Sequence, residues 1–328
     1  MVDTAPPGAT AAPKPKPLHL QNKPPMFSDM ASLSQARSDT HSANVDSAAK
    51  AMDEEFAEDP SFERCPREAF VTAQDQTLVC KVYETRIAAY VRAFKFDDSE
   101  AVHATAVSLF KRFYLKQAIF NYDPKIILMT CIFLASKIEN SYLELKDILA
   151  KVPASQRPSE EVIKETELVV ADTIGFQFMV HQVKWPLHGL FLDLQTYFAS
   201  IHQSQEPRKQ AIQNLVLIYN RACELAKIAI SSDLQFTHYP SQIALGSFLM
   251  ASTELDLLKS ELNQYISYRI DWVDVGTIAA LHTKLEGVAD AIKAQQEFEK
   301  LAKDTKSVVS QKAKEVAAKL TKCMNPEY

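Results

Sequence analysis

The stretch Pro124-Lys-Ile-Ile-Leu-Met-Thr-Cys-Ile-Phe-Leu-Ala-Ser-Lys-Ile-Glu-Asn140 decides the fold. Proline at the first helical position suits a helix start, because its missing N–H is one the first turn leaves unpaired anyway. From Ile126 to Ala135 almost nothing polar follows. A helix that is apolar on every side has to be surrounded by other elements. It then ends in Lys137, Glu139 and Asn140, so one end of a core helix reaches the surface.

A similar segment recurs downstream. Setting Pro124 on Pro240 aligns Ile127 with Ile243, Ala135 with Ala251 and Ser136 with Ser252, an offset of 116 residues. In both copies a long amphipathic helix comes first, Ser99–Gln117 in one and Arg208–Ala229 in the other. A repeat of this length predicts two copies of one helical domain. Only six glycines occur in 328 residues, too few for the turns and ligand loops of a sheet-rich protein. The fold class read here is all-α: two tandem five-helix units with extra N- and C-terminal helices.

Around these units the chain divides as follows. Residues 1–26 hold seven of the sixteen prolines and read as a disordered tail. Residues 27–73 form a helical extension and linker, its helix opened by Ser28 as cap. The first unit covers 74–180 and the second 181–270. Residues 271–328 read as one long helix with a Lys-rich tail that projects or frays. Within the first unit, Asp98 or Ser99 caps a helix with the stripe Val102, Ala106, Leu109 and Phe113. A short helix lies near Glu144–Lys151. Ser159 caps another, which stops at Gly175.

Motifs for chemistry are absent. There is no glycine-rich phosphate loop, no HxxxH or HExxH, no GxSxG and no HRD. The five cysteines form no CxxC, so neither a zinc site nor a disulfide framework is expected, and a reducing compartment fits. No catalytic residue, cofactor or metal is expected. No apolar run reaches the length of a membrane span. A net charge of −5 disfavours a protein that grips nucleic acid.

Two charges stand out by position. Lys137 follows Phe133 and Leu134 at helical spacing. Glu167 sits at the edge of the stripe Ile163, Val170 and Ile174. Each has an ordinary reading, a side chain reaching water at a helix end or boundary. The sharper reading brings them together as a charged pair ringed by apolar surface, a composition that suits a protein contact. The basic–aromatic run Lys111-Arg-Phe-Tyr-Leu-Lys116 reads either as a nucleic-acid contact or as a core helix with one charged face.

With FKRFYL, CIFLASKIEN, ETELVVADTIGFQFMVHQVKWP, LVCKVYETRI, GLFLDL and YPSQIAL on the page in this order, the chain resembles the cyclins, most closely their H type. The C type shares the KRFY and FLASK signals but matches the flanking segments less well. The likeness spans about residues 74–300. It implies two cyclin boxes and a non-catalytic regulatory subunit of the CDK-activating kinase. That complex joins a cyclin-dependent kinase and a RING-finger assembly factor, and belongs to transcription factor IIH in the nucleus. Its kinase phosphorylates RNA polymerase II C-terminal repeats and the activation segments of cell-cycle kinases.

By the same resemblance, Lys137 and Glu167 are the pair that holds the kinase. Leu134 and Ile138 are apolar contacts, and Glu139 is what remains of an acidic pair whose second member is Asn140 here. Cell-cycle cyclins dock substrates on a Met-Arg-x-x-Leu stretch with a downstream tryptophan. Here the stretch reads ETRIAAYVRAF without tryptophan, so no such groove is expected. A general transcription factor of the IIB type also pairs two cyclin folds, on promoter DNA. The acidic charge and the missing zinc-ribbon spacing count against it.

Overall fold

The structure is a computed structural model that describes residues 25–55, 70–202, 204–269 and 275–324. Thirteen α-helices and no strand occur among the described residues. The proline-rich segment, except its last two residues, lies outside them.

The first unit comprises Ala73–Phe94 (α2), Ser99–Tyr114 (α3), Pro124–Ile138 (α4), Leu145–Ala150 (α5) and Glu160–Thr173 (α6). Its helix starts follow from the sequence. Thr72, Asp98, Asp123 and Ser159 each accept a backbone N–H of the first turn, satisfying donors that a helix start otherwise leaves unpaired. The middle of α4 is buried on all sides, from Ile127 to Ser136, with α2, α3 and α6 packed around it.

The second unit comprises Lys184–Ile201 (α7), Gln205–Ser231 (α8), Leu234–Thr237 (α9), Pro240–Leu255 (α10) and Lys259–Arg269 (α11), with Val275–Lys303 (α12) packed on α8 and α10. Here α10 takes the central place that α4 has in the first unit. Gly246 has a packing reason: a Cβ there would stand 2.6 Å from Val288 Cγ1, so its absence lets α12 lie close against α10.

Three expectations are corrected. The N-terminal helix is Met30–Glu55 (α1), and Asp29 rather than Ser28 caps it, accepting from Ser32 N at 2.7 Å. A carboxylate at that position also meets the positive end of the helix dipole. The C-terminal run is not one helix. It stops at Lys303, and Val308–Met324 (α13) turns back to pack on α2. The Asp-Thr-Lys-Ser sequence breaks it, because Asp304 accepts from Lys306 N at 2.9 Å and Ser307 from Ser310 N at 3.1 Å. Short polar side chains that bond their own backbone compete with helix in this way.

Nor does the last part project. Val316 and Leu320, one turn apart, are buried in the first unit's core, and Lys312 pairs with Asp75 at 3.2 Å. Leu320→Ala is therefore expected to cost about 2–3 kcal/mol in urea unfolding. A change within about 0.5 kcal/mol would mean that α13 hangs free in solution.

The third correction concerns Lys111. It is not part of a charged outer face, since its side chain is 0% exposed. Its ammonium reaches Glu84 Oε2 of α2 at 2.6 Å and Asp233 Oδ1, at the start of α9, at 2.9 Å. Arg37 of α1 clamps the same Asp233 with both terminal guanidinium nitrogens, each at 2.9 Å. One buried ionic cluster thus joins α1 to both units. Burial alone would raise the Asp233 carboxyl, but Lys111 and Arg37 outweigh it and hold it well below the ordinary range. Burial prevails at Glu84 and raises it.

The units also meet through the linker. Gln182 Nε2 donates to Thr105 Oγ1 at 3.0 Å and to Glu139 Oε1 at 3.1 Å.

His103 on α3 makes the fold acid-sensitive. Its Nε2 is buried without a hydrogen-bond partner. Burial, with help from Arg92, pushes its pKa from 6.5 down to about 4. Above pH 6.5 the ring is neutral whether the chain is folded or not. Between pH 6.5 and 4 only the unfolded chain takes up the proton, so stability falls as pH falls. The loss reaches about 3 kcal/mol near pH 4. Denaturant unfolding at pH 7.5, 5.5 and 4.5 checks this, and His103→Gln should remove that part of the slope.

Candidate functional site

The site lies where the end of α4 packs beside the middle of α6. The sequence Ser136-Lys-Ile-Glu-Asn-Ser141 ends α4 with a left-handed residue, Asn140 at φ +54°. Ser141 N donates back to Ser136 O at 2.9 Å and Asn140 N to Lys137 O at 3.3 Å. Asparagine tolerates this backbone better than most residues, so Asn140 has a conformational reason to stand here. Gly175, at φ +67°, ends α6 in the same way, with Phe176 N donating to Ala171 O at 2.8 Å.

Lys137, at the end of α4, meets Glu167, in the middle of α6. Lys137 Nζ lies 2.6 Å from Glu167 Oε1 and 2.8 Å from Oε2. The ammonium also sits over the Phe133 ring, 4.1 Å from its centre, a favourable cation–aromatic contact. The pair is partly wet, with Lys137 36% and Glu167 19% exposed. Such a pair contributes little to its own fold, on the order of 0–1 kcal/mol. Two exposed apolar side chains lie close to it in space or in sequence. Tyr142 packs near Phe133 and is 59% exposed, and Leu168, next to Glu167, is 69% exposed.

The other expected residues fall differently. Ile138 is half-buried on this end of α4. Leu134 is nearly buried and forms part of the core beneath. Glu139 turns away from the pair, accepting from Thr105 Oγ1 and Gln182 Nε2. Its carboxylate holds the linker between the units. Tyr142 and Leu168 were missed in the sequence. Leu168 carried a signal, a leucine outside the buried stripe of α6. Tyr142 lies beyond the helix, where periodicity gives no face.

Among the described residues no group of histidine, cysteine or acidic side chains is placed to hold a metal. No described helix is long and apolar enough to cross a membrane. Cys80 and Cys131 are buried free thiols whose pKa burial pushes up, which leaves them inert.

Residues 81–179 match the cyclin N-terminal domain family and residues 185–298 the cyclin C-terminal domain family. The chain belongs to the cyclin family. Cyclin-H of Xenopus laevis is 30% identical over 199 residues, 60% of this cyclin and 58% of that protein. The match therefore spans less than two thirds of that relative. Among solved structures, a chain of the Chaetomium thermophilum CAK complex bound to ATP-γ-S superposes with a TM-score of 0.72 at 22% identity, covering 91% of this cyclin and 85% of that chain. A chain of the yeast TFIIK complex, Kin28/Ccl1/Tfb3, does so with a TM-score of 0.59 at 21% identity, covering 81% and 96%. At these identities the likeness is one of fold.

Proposed function

We propose that this cyclin is the non-catalytic regulatory subunit of a cyclin-dependent kinase of the CDK-activating type, and that the Lys137–Glu167 pair, where the end of α4 meets the middle of α6, is where it holds that kinase. The single observation that carries the site is a half-wet ion pair of little value to the fold, set among exposed apolar side chains. The H-type relative and the fold shared with chains of CAK and TFIIK complexes support the choice of kinase.

The mechanism asks nothing catalytic of this chain. A protein kinase works only when its β3 lysine pairs with the glutamate of its C-helix and its metal-binding aspartate is in place. Lys137 has a third N–H beyond the two aimed at Glu167, and it offers that donor to the backbone of the kinase helix or the loop beside it. Tyr142, Leu168 and Ile138 supply apolar contact, with Leu134 beneath them. Glu139 positions the surface by holding the inter-unit linker. A subunit that binds the active helix position more tightly shifts the kinase toward it, tenfold for each 1.4 kcal/mol or so of preference.

The wider setting belongs to the same proposal: transcription factor IIH in the nucleus, a RING-finger assembly factor as third subunit, and polymerase C-terminal repeats and cell-cycle kinase activation segments as the kinase's substrates. Co-expression with the kinase tests it. A stable complex whose activity on such a repeat peptide depends on this cyclin is the expected result. A kinase that neither binds nor responds refutes the reading.

A further inference from the structure

A second exposed surface lies on the second unit. Trp185, Gly189 and Leu192 follow one another at helical spacing on the outer face of α7. Trp185 is 68% and Leu192 48% exposed. A Cβ on Gly189 would meet nothing within 4 Å, so an open notch separates the indole from the leucine. Along one side of this stripe Phe191 stacks on Tyr219 of α8, with ring centres 4.4 Å apart. Val216, one turn before Tyr219, is exposed as well. An acidic rim borders the stripe. Lys184 pairs with Asp98 at 2.5 Å and Lys227 with Glu100 at 3.1 Å, which sets the start of α3 against α7 and α8. The exposed Asp97 stands beside Asp98 and forms no ion pair among the described residues.

The chain's own sequence supplies the complement. Residues 4–24 hold three lysines and no acidic residue, in a chain of net charge −5. Within them runs Pro13-Lys-Pro-Lys-Pro-Leu18. In a polyproline helix, with three residues per turn, Pro15 and Leu18 share one edge while Lys14 and Lys16 fall on the other two. Segments of this kind lay proline rings on aromatic side chains, and their fixed φ lowers the entropy lost on docking.

The chain also enters on the second unit. Phe27 N donates to Phe236 O at 3.0 Å, and the two rings meet edge to face. Tyr219 stands twelve residues before the end of α8 at Ser231, and Phe236 five residues after it, so Tyr219 lies within roughly 40 Å of Phe27. Pro17 and Pro13 stand ten and fourteen residues before Phe27, about 31 and 43 Å along an extended proline helix.

We infer that the segment 13–18 docks on this face of its own chain, with Pro15 and Leu18 against Trp185 and Tyr219 and the lysines toward Asp97 and Glu100. It covers the apolar stripe in the free cyclin, and any protein that uses this face has to displace it. The intervening chain keeps the segment at an effective concentration of about a millimolar, so an affinity of that order already half-fills the site.

Acrylamide quenching of tryptophan fluorescence in the full chain tests this. The chain has two tryptophans, and Trp185→Phe assigns the signal. Pro13→Gly, Pro15→Gly and Pro17→Gly together should raise the quenching constant at least about 1.5-fold, as the segment leaves the indole. The rise should be absent when Trp185→Phe is also present. The peptide Ala-Pro-Lys-Pro-Lys-Pro-Leu-His-Leu, added at about 5 mM to the triple variant, should bring the constant back to the wild-type value. Its charge-matched counterpart Ala-Gly-Lys-Gly-Lys-Gly-Leu-His-Leu should not. Circular dichroism checks that each variant is folded. The inference is overturned if the triple substitution leaves quenching unchanged, if the rise persists without Trp185, or if both peptides protect equally. Sedimentation showing a dimer that Trp185→Ala dissolves, with quenching that follows chain concentration rather than the three prolines, would give the face to a second copy and overturn it too.

Discussion

Asp233→Ala is expected to lower unfolding stability by about 3–5 kcal/mol, the largest single effect in the fold. The substitution removes the carboxylate on which Lys111 and Arg37 both close, with Lys81 at 3.8 Å. Lys111, whose side chain is 0% exposed, would then keep only Glu84, and the largely buried Arg37 would lose the carboxylate it clamps. Leaving buried charges unpaired costs far more than the pairs contribute when intact. The loss should spread across both units, because the cluster ties α1, α2 and α3 to the start of α9. Urea unfolding followed by circular dichroism reads the magnitude. Hydrogen exchange reads the spread, with faster exchange in α1 and α9 as well as in α3. A cost below about 1 kcal/mol would mean that the cluster is solvated and holds nothing together.

Lys137→Glu should have the largest effect on association. The kinase is expected to bind at least about a hundredfold more weakly, the equivalent of roughly 3 kcal/mol. The cyclin itself should lose no more than about 1 kcal/mol, since the Lys137–Glu167 pair is partly wet. The charge swap Lys137→Glu with Glu167→Lys separates two roles. It rebuilds an ion pair inside the cyclin but presents reversed charges outward. If the pair acts on the partner, the swap stays folded and does not restore binding. If the swap restores binding, the pair serves only to join α4 to α6, and the contact lies elsewhere.

Much of the site was legible along the chain because its parts are local. Pro124 starts α4, an apolar run marks its burial, and Lys137 to Asn140 mark where it surfaces. Glu167 shows as a carboxylate at the edge of an apolar stripe. What pairs over long distances was not legible. Lys111 sits in FKRFYL as though on a charged face, and its partner Asp233 lies 122 residues away. In the fold α3 is buried almost all round, with only Arg112 near water between Ala104 and Tyr114, which leaves little room for an exposed lysine. Glu139 looked like part of the outer surface because of its neighbours in sequence. Its direction depends on Gln182, which only the folded linker brings near. The return of α13 depends on a break of four polar residues, too small to show against a long run of helix-forming lysines and alanines.

The central claim is that this cyclin steadies a mobile element of another protein through the end of α4 and the face of α6 beside it. Hydrogen–deuterium exchange on the C-helix of the partner kinase tests it most directly, with and without the cyclin. The wild-type chain should slow exchange across that helix, and the Lys137→Glu chain at the same concentration should not. Equal protection by both, or protection by neither, would contradict it.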